Sequence, residues 1–121
     1  MKESRGFVRL PAPVEAMYTV LPDGRPQRTL TKDLGAGGAR LVMEKPLAPG
    51  AQLQVALTLP GREQPVNAIA EVVWSGEVEL VGRSDRRRSA EVGVRMTEIA
   101  PQDHAALAQF VADGLRSGPS S

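Results

Sequence analysis

The chain has 121 residues, 41% hydrophobic and 24% charged, with no cysteine and a formal net charge of +1. That is enough for one domain around a single core and too little for two. Disulfides and thiolate metal sites are excluded, and so is the strong basic field that holds a protein on nucleic acid by charge alone.

No run approaches the eighteen or so apolar residues of a membrane span. The first ten residues, "MKESRGFVRL", lack the apolar core of a signal peptide. A cytoplasmic protein without a membrane span is therefore expected. Three Lys and twelve Arg make up the 15 basic residues. Arginine suits planar, bidentate recognition of phosphate and guanine. Genomic base composition produces the same bias, so composition alone does not decide.

Ten prolines and twelve glycines punctuate short apolar runs, a pattern of many strands rather than many helices. Residues 1–13 read as an N-terminal arm. The first strand is expected in "VEAMYTVLP" (14–22) and ends at the turn "PDGR", where Pro presets φ and Gly accepts positive φ. "RTLTKDL" (28–34) returns as the second strand and "ARLVMEK" (39–45) as the third, before "PLAPG" turns the chain. "AQLQVALTLP" (51–60) sets Leu53, Val55, Leu57 and Leu59 on one face, the period-two mark of a half-buried strand. After "GREQP", "VNAIAEVVWSG" (66–76) places Val66, Ala68, Ala70, Val72 and Trp74 on one side, with Ile69 and Val73 opposite. This parity sends Trp74 to the core, the alternative being an indole at a rim that stacks on a base.

"ELVGRSDRRRS" (79–89) has no periodicity and reads as an exposed loop. "AEVGVRMTEI" (90–99) is the last strand, with Val92, Val94 and Met96 facing in. Pro101 and Asp103 then suit the first turn of a helix. Leu107, Phe110, Val111 and Leu115 follow at helical spacing, a stripe expected to cover an opening of the barrel. The tail "SGPSS" (117–121) reads as disordered. Six antiparallel strands and one C-terminal helix over residues 14–116 point to an all-β fold, a small barrel whose closure removes edge strands.

Two pieces carry chemistry together. "RGFVR" spaces Arg5 and Arg9 four residues apart on the arm, and "DLGAGG" places Asp33, Gly35 and Gly38 in a D-x-G-x-x-G pattern between the second and third strands. The glycines either build a tight connection through positive φ or leave room for close approach. With two arginines upstream, close approach is favoured. In order, separation and setting these pieces resemble a PilZ domain, the bacterial receptor module for cyclic di-GMP, which carries R-x-x-x-R on an arm and D-x-S-x-x-G on a six-stranded barrel. The resemblance extends from about residue 5 to residue 115.

The resemblance implies that Arg5 and Arg9 clamp guanine and phosphate, that Asp33 reads guanine, and that Gly38 gives backbone access or the turn itself. The chemistry is consistent. An arginine fork pairs with guanine O6 and N7 or with phosphate, and an ionised carboxylate accepts from the N–H donors of guanine's other edge. Gly35 stands where the family usually has Ser, and Ser4 where a further Arg often precedes the first. Arg40 either faces solvent or assists at the ligand.

"RSDRRR" (83–88) reads as a solvated loop rather than a nucleic-acid site, because aromatic residues are only 3% and Glu77, Glu79 and Glu91 flank it. His104, the only histidine, has no companions for a metal site or a triad. No cofactor, no metal and no enzymatic activity are expected. The function implied is a cyclic di-GMP receptor domain whose arm changes conformation on binding and signals to a protein partner. The alternative is a degenerate adaptor of the same fold, related to motility or pili, that has lost the ligand.

Overall fold

The computed structural model describes residues 9–79 and 88–116. In chain order these form β1 (Leu10–Pro11), β2 (Glu15–Val20), β3 (Gln27–Leu34), β4 (Gly38–Met43), β5 (Gln52–Thr58), β6 (Val66–Glu79), β7 (Arg88–Ile99) and α1 (Pro101–Arg116). The strands are hydrogen-bonded in the order β1-β3-β2-β5-β6-β7-β4, and β4 also pairs with β3. That last pairing closes β2 to β7 into the expected six-stranded antiparallel barrel, with β1 an extra strand on β3.

Alternation decides what lies inside. Leu53, Val55, Leu57 and Leu59 are all at most 3% exposed, and Leu34, Leu41, Val66, Val72 and Val92 complete the interior. Each strand turns every second side chain inward, so one stripe from each of six strands fills the barrel without a separate layer. Met96, expected to face in, is only partly buried against this core.

Two boundaries differ from the sequence reading. β6 continues to Glu79 and β7 begins at Arg88, with Glu79 and Arg88 paired, so the ends of the expected loop 79–89 belong to a long hairpin. Periodicity cannot show this, since strands that leave the barrel core need no apolar face. The rest of that loop, including most of "RSDRRR", lies outside the described residues, as do Arg5 and the tail 117–121.

The other difference is β1. Arm residues Leu10 and Pro11 pair with Leu34 and Asp33, on the same edge of β3 that receives β2 further along. Pro11 and Pro13 have no N–H, so an unbroken ladder is impossible here. The buried Thr31 hydroxyl bridges the gap: it accepts from the Val14 N–H at 2.9 Å and donates to the Ala12 carbonyl at 2.7 Å.

Helix α1 docks through Leu107 and Val111, which are 0% and 5% exposed, and it contacts β6 and β1. Its first turn is tied down by Asp103, which accepts from Arg62 Nη2 at 3.2 Å and from the Asn67 backbone N–H at 3.3 Å. The expected stripe is narrower than its spacing suggested. Phe110 is only partly buried and Leu115 is 42% exposed. A helix of 16 residues is marginal alone in water, so its folding depends on this docking. Leu107→Ala should cost about 2–5 kcal/mol in a denaturant or thermal melt, and Phe110→Ala clearly less. Equal melts for Leu107→Ala and the parent would show that the helix does not seal the core.

Candidate functional site

β3 ends at Asp33 and Leu34, and a short turn closed by the Gly35 N–H donating to the Gly38 carbonyl at 2.9 Å leads into β4. Across this hairpin Asp33 faces Arg40. Arg40 donates from Nε to Asp33 Oδ2 at 2.9 Å, and its Nη2 meets the same oxygen. From the arm, Arg9 Nη1 donates to Oδ1 at 2.8 Å. Both carboxylate oxygens therefore hold a guanidinium, and the Asp33 side chain is only 7% exposed.

The charges continue outward. Arg40 Nη1 donates to Glu91 Oε1 at 3.3 Å, and Lys32 Nζ donates to Glu91 Oε2 at 2.6 Å. Burial alone would raise the Asp33 carboxyl, but hydrogen bonds and charge from Arg40 and Arg9 hold it below the ordinary carboxylate range. The hydrogen bond from Lys32, aided by the charges of Lys32 and Arg40, likewise lowers Glu91.

Antiparallel registers set two rows side by side on the outer surface. The first runs Asp33, Arg40, Gly93, Trp74 across β3, β4, β7 and β6. The second runs Gly38, Arg95, Glu71, one step along the same strands. Arg95 Nη2 donates to Glu71 Oε1 at 3.0 Å. Trp74 lies against Gly93 so closely that a Cβ there would fall 2.7 Å from its Cε2. These rows border a cleft of about 690 Å³, lined among others by Arg9, Gly35, Gly38, Trp74, Gly93 and Arg95.

Trp74 is a correction. Its parity with Val72 placed it in the core, yet it is 40% exposed. The β6–β7 register shifts between Val72 and Trp74, so Val73 is an extra residue and the inward-outward phase flips after it. A β-bulge re-aims a side chain in this way, often beside a site.

The other site residues fall as follows. Arg9, Gly35 and Gly38 line the cleft, whereas Asp33 and Arg40 stand behind the Arg9 wall and are not part of the lining. Neither Gly37 nor Gly38 takes a left-handed φ, so positive φ does not explain them. Gly38 is required by space, since a Cβ would lie 2.5 Å from the Val94 carbonyl oxygen. Sequence reasoning missed Glu71, Gly93 and Arg95, whose proximity arises only from strand register. His104 lies exposed on α1. Among the described residues no cluster of His, Cys, Asp or Glu could hold a metal, and no helix is long and apolar enough to cross a membrane.

A closed barrel with an arginine-bearing arm laid along a carboxylate hairpin defines a class of small β-barrel binding module. Within it, the PilZ domain family matches residues 3–113, and the chain belongs to that family. The fold is similar to the PilZ domain of YcgR from Escherichia coli, solved with c-di-GMP, at 18% identity and TM-score 0.69 over 90% of this chain and 89% of that one. It is similar to the Bacillus subtilis inhibitor of motility MotI/DgrA at 23% identity and TM-score 0.69, over 97% of this chain and 54% of that one. K. pneumonia MrkH in its apo state matches at 15% identity and TM-score 0.76, over 95% and 51%. The chain thus spans about half the length of MotI and MrkH, and the likeness is one of fold. Curated protein sequences give no significant match.

Because the folded pKa of Asp33 is lowered, its ion pairs stabilise the protein fully above the unfolded carboxyl's value, about 3.9. That contribution is lost as pH falls through the lower folded value. The difference in melting temperature between the parent and Asp33→Asn should be constant near neutrality and close only in acid, below about pH 4. A gap that persists unchanged to about pH 2 would remove the ion pairs as its cause.

Proposed function

We propose that this chain is a receptor domain for cyclic di-GMP (c-di-GMP) that changes the conformation of its arm on binding and so signals to a protein partner. The observation that carries the reading is the Arg9–Asp33 pair at the edge of the glycine-walled cleft. Family membership supports it, as do the solved complexes of YcgR and MrkH with c-di-GMP.

The ligand presents two phosphodiesters and two guanines. Arg9 exchanges one charged partner for another, releasing Asp33 Oδ1 and taking a phosphate or the O6/N7 edge of guanine. Asp33, relieved of one guanidinium but still held by Arg40, is then free to accept from a guanine's N–H groups. Gly35, Gly37 and Gly38 leave the backbone bare enough for the macrocycle to lie against it, while Gly93 lets the Trp74 indole lie flat on β7. The exposed Trp74 face offers a base a stacking platform. Arg95, held by an exposed Glu71 in a pair of little net strength, supplies a second cation to the same cleft. Arg5, four residues before Arg9 in the sequence, is the second arginine assigned to the clamp.

The site is stocked with an arm cation, a reading carboxylate and a platform, and among the described residues none in it is arranged as a nucleophile with a base. Binding and adaptor activity are therefore the chemistry assigned to it. Gly35 deprives the site of the hydroxyl usual at its position, which weakens rather than abolishes binding.

Calorimetric titration with cyclic di-GMP, with GTP as the control nucleotide, tests the reading. Trp74 is the sole tryptophan, so its fluorescence should be quenched on binding. Trp74→Ala should lose ~1–3 kcal/mol of binding, a weakening of about five- to 150-fold, and Arg9→Ala should lose at least as much. An intact fold that gives neither heat nor quenching with cyclic di-GMP would favour the adaptor without ligand.

A further inference from the structure

Glycine is the poorest helix former after proline, yet Gly114 sits inside α1 with Leu115 and Arg116 still helical beyond it. It is not a terminating cap. What requires it comes from the other end of the chain. A Cβ on Gly114 would lie 3.0 Å from Leu10 Cδ1 and 3.2 Å from Leu10 Cγ, and Cδ2 is nearer still. Because Cγ is included, rotating the terminal methyl groups does not clear the contact.

Leu10 opens β1 and packs against the edge of the core. Its neighbour Arg9 donates to Asp33 Oδ1 at 2.8 Å. Successive side chains of an extended segment point to opposite sides, so this arm presents Leu10 to the helix while Arg9 reaches the hairpin. Among the described arm residues, backbone pairing with β3 before residue 12 is confined to Leu10 and Pro11. β1 is two residues long, Pro11 cannot donate, and the Ala12 N–H reaches the Lys32 carbonyl at 3.3 Å. The Thr31 hydroxyl grips only Ala12 and Val14.

We propose that Gly114 is a socket for Leu10, and that this contact positions Arg9 on Asp33 at the cleft, making Gly114 and Leu10 positioning residues of the ligand site. The consequence for ligand rests on the cyclic di-GMP reading above; the consequence for Asp33 does not. Through the socket, the arm and the last turns of α1 share one state. A partner that grips those turns changes the affinity at Arg9, and by linkage the ligand changes the partner's affinity by the same factor.

The test uses the full chain and two readouts on the parent, Arg9→Ala, Leu10→Ala, Gly114→Ala and the Leu10→Ala/Gly114→Ala double variant. The first is the Asp33 carboxyl titration followed by NMR without ligand. The charged groups facing this carboxyl are Arg9 from the arm and Arg40 from β4, with Glu91 of β7 and Lys32 of β3 beyond Arg40. The second readout is the calorimetric affinity for cyclic di-GMP.

If the socket positions Arg9, Gly114→Ala moves the Asp33 titration upward as far as Arg9→Ala does. It also weakens cyclic di-GMP binding severalfold, although Gly114 is not in the cleft wall. The double variant then resembles either single one, because each change breaks the same contact. An unmoved Asp33 titration in Gly114→Ala overturns the proposal, and if Arg9→Ala still loses binding the receptor reading survives. A shifted titration in a parent that binds no cyclic di-GMP upholds the socket and sinks the receptor reading. Should Gly114→Ala fail to fold, Leu10→Ala removes the same contact from the arm side, and its Asp33 titration decides.

Discussion

Where β3 pairs with β4 to close the barrel, it delivers a carboxylate, Asp33, to a position only 7% exposed. An ion there loses most of its hydration, a penalty of several kcal/mol unless charge and hydrogen bonds replace the water. Arg40 comes from the strand that closes the barrel and Arg9 from the arm that lies along β3. One carboxylate thus ties the closing strand and the arm to the same point. Removing either arginine would leave Asp33 short of a partner, so the geometry at the edge of the cleft is fixed by a folding requirement before any ligand is considered. A ligand that takes Arg9 away must put donors in its place. Guanine, with its adjacent N–H groups, is a molecule that can.

How far the sequence revealed this depends on whether a feature follows strand parity. Leu53, Val55, Leu57 and Leu59 could be placed because Gln54, Ala56 and Thr58, two polar residues and one small one, alternate with them. Asp33 and Arg40 flank a short glycine turn, so their meeting across a hairpin was within reach, although the sequence left Arg40 open between solvent and ligand. Trp74 was not within reach, since Val72 and Trp74 share parity and nothing in the letters marks Val73 as a bulge. Gly93 and Arg95 gain their meaning only from the residues registered opposite them, Trp74 and Glu71. β1 was invisible for a different reason: two residues, one of them a proline, carry no period at all.

Two of the three register irregularities act alike at the site. Between Thr31 and Asp33 the β3–β4 pairing slips, and between Val72 and Trp74 the β6–β7 pairing slips. Each slip changes which side of the barrel the following residue faces. The first sets Asp33 against Arg40, and the second turns Trp74 from the core to the surface. Regular strands would have buried the indole and dispersed the row that now runs from Asp33 to Trp74. Bulges increase local twist and interrupt the ladder, so the site is built at some expense to the sheet, on the part of the barrel where the glycines have already thinned it.

Rigidity is distributed to match. The barrel interior is held by six mutually paired strands, and opening it would expose the whole core. The arm is held by side chains: Arg9 on Asp33, Leu10 on Gly114, and the Thr31 hydroxyl at Ala12 and Val14. Segments with few backbone bonds and few apolar contacts open at low free energy while their surroundings stay folded. The Thr31 latch lies downstream of the other two contacts, so it ties the arm to β3 beyond the short β1 pairing at Leu10 and Pro11. Pro11 and Pro13 bring no N–H to this stretch, so the Ala12 bond to Lys32 and the Thr31 hydroxyl stand where a continuous ladder would otherwise run.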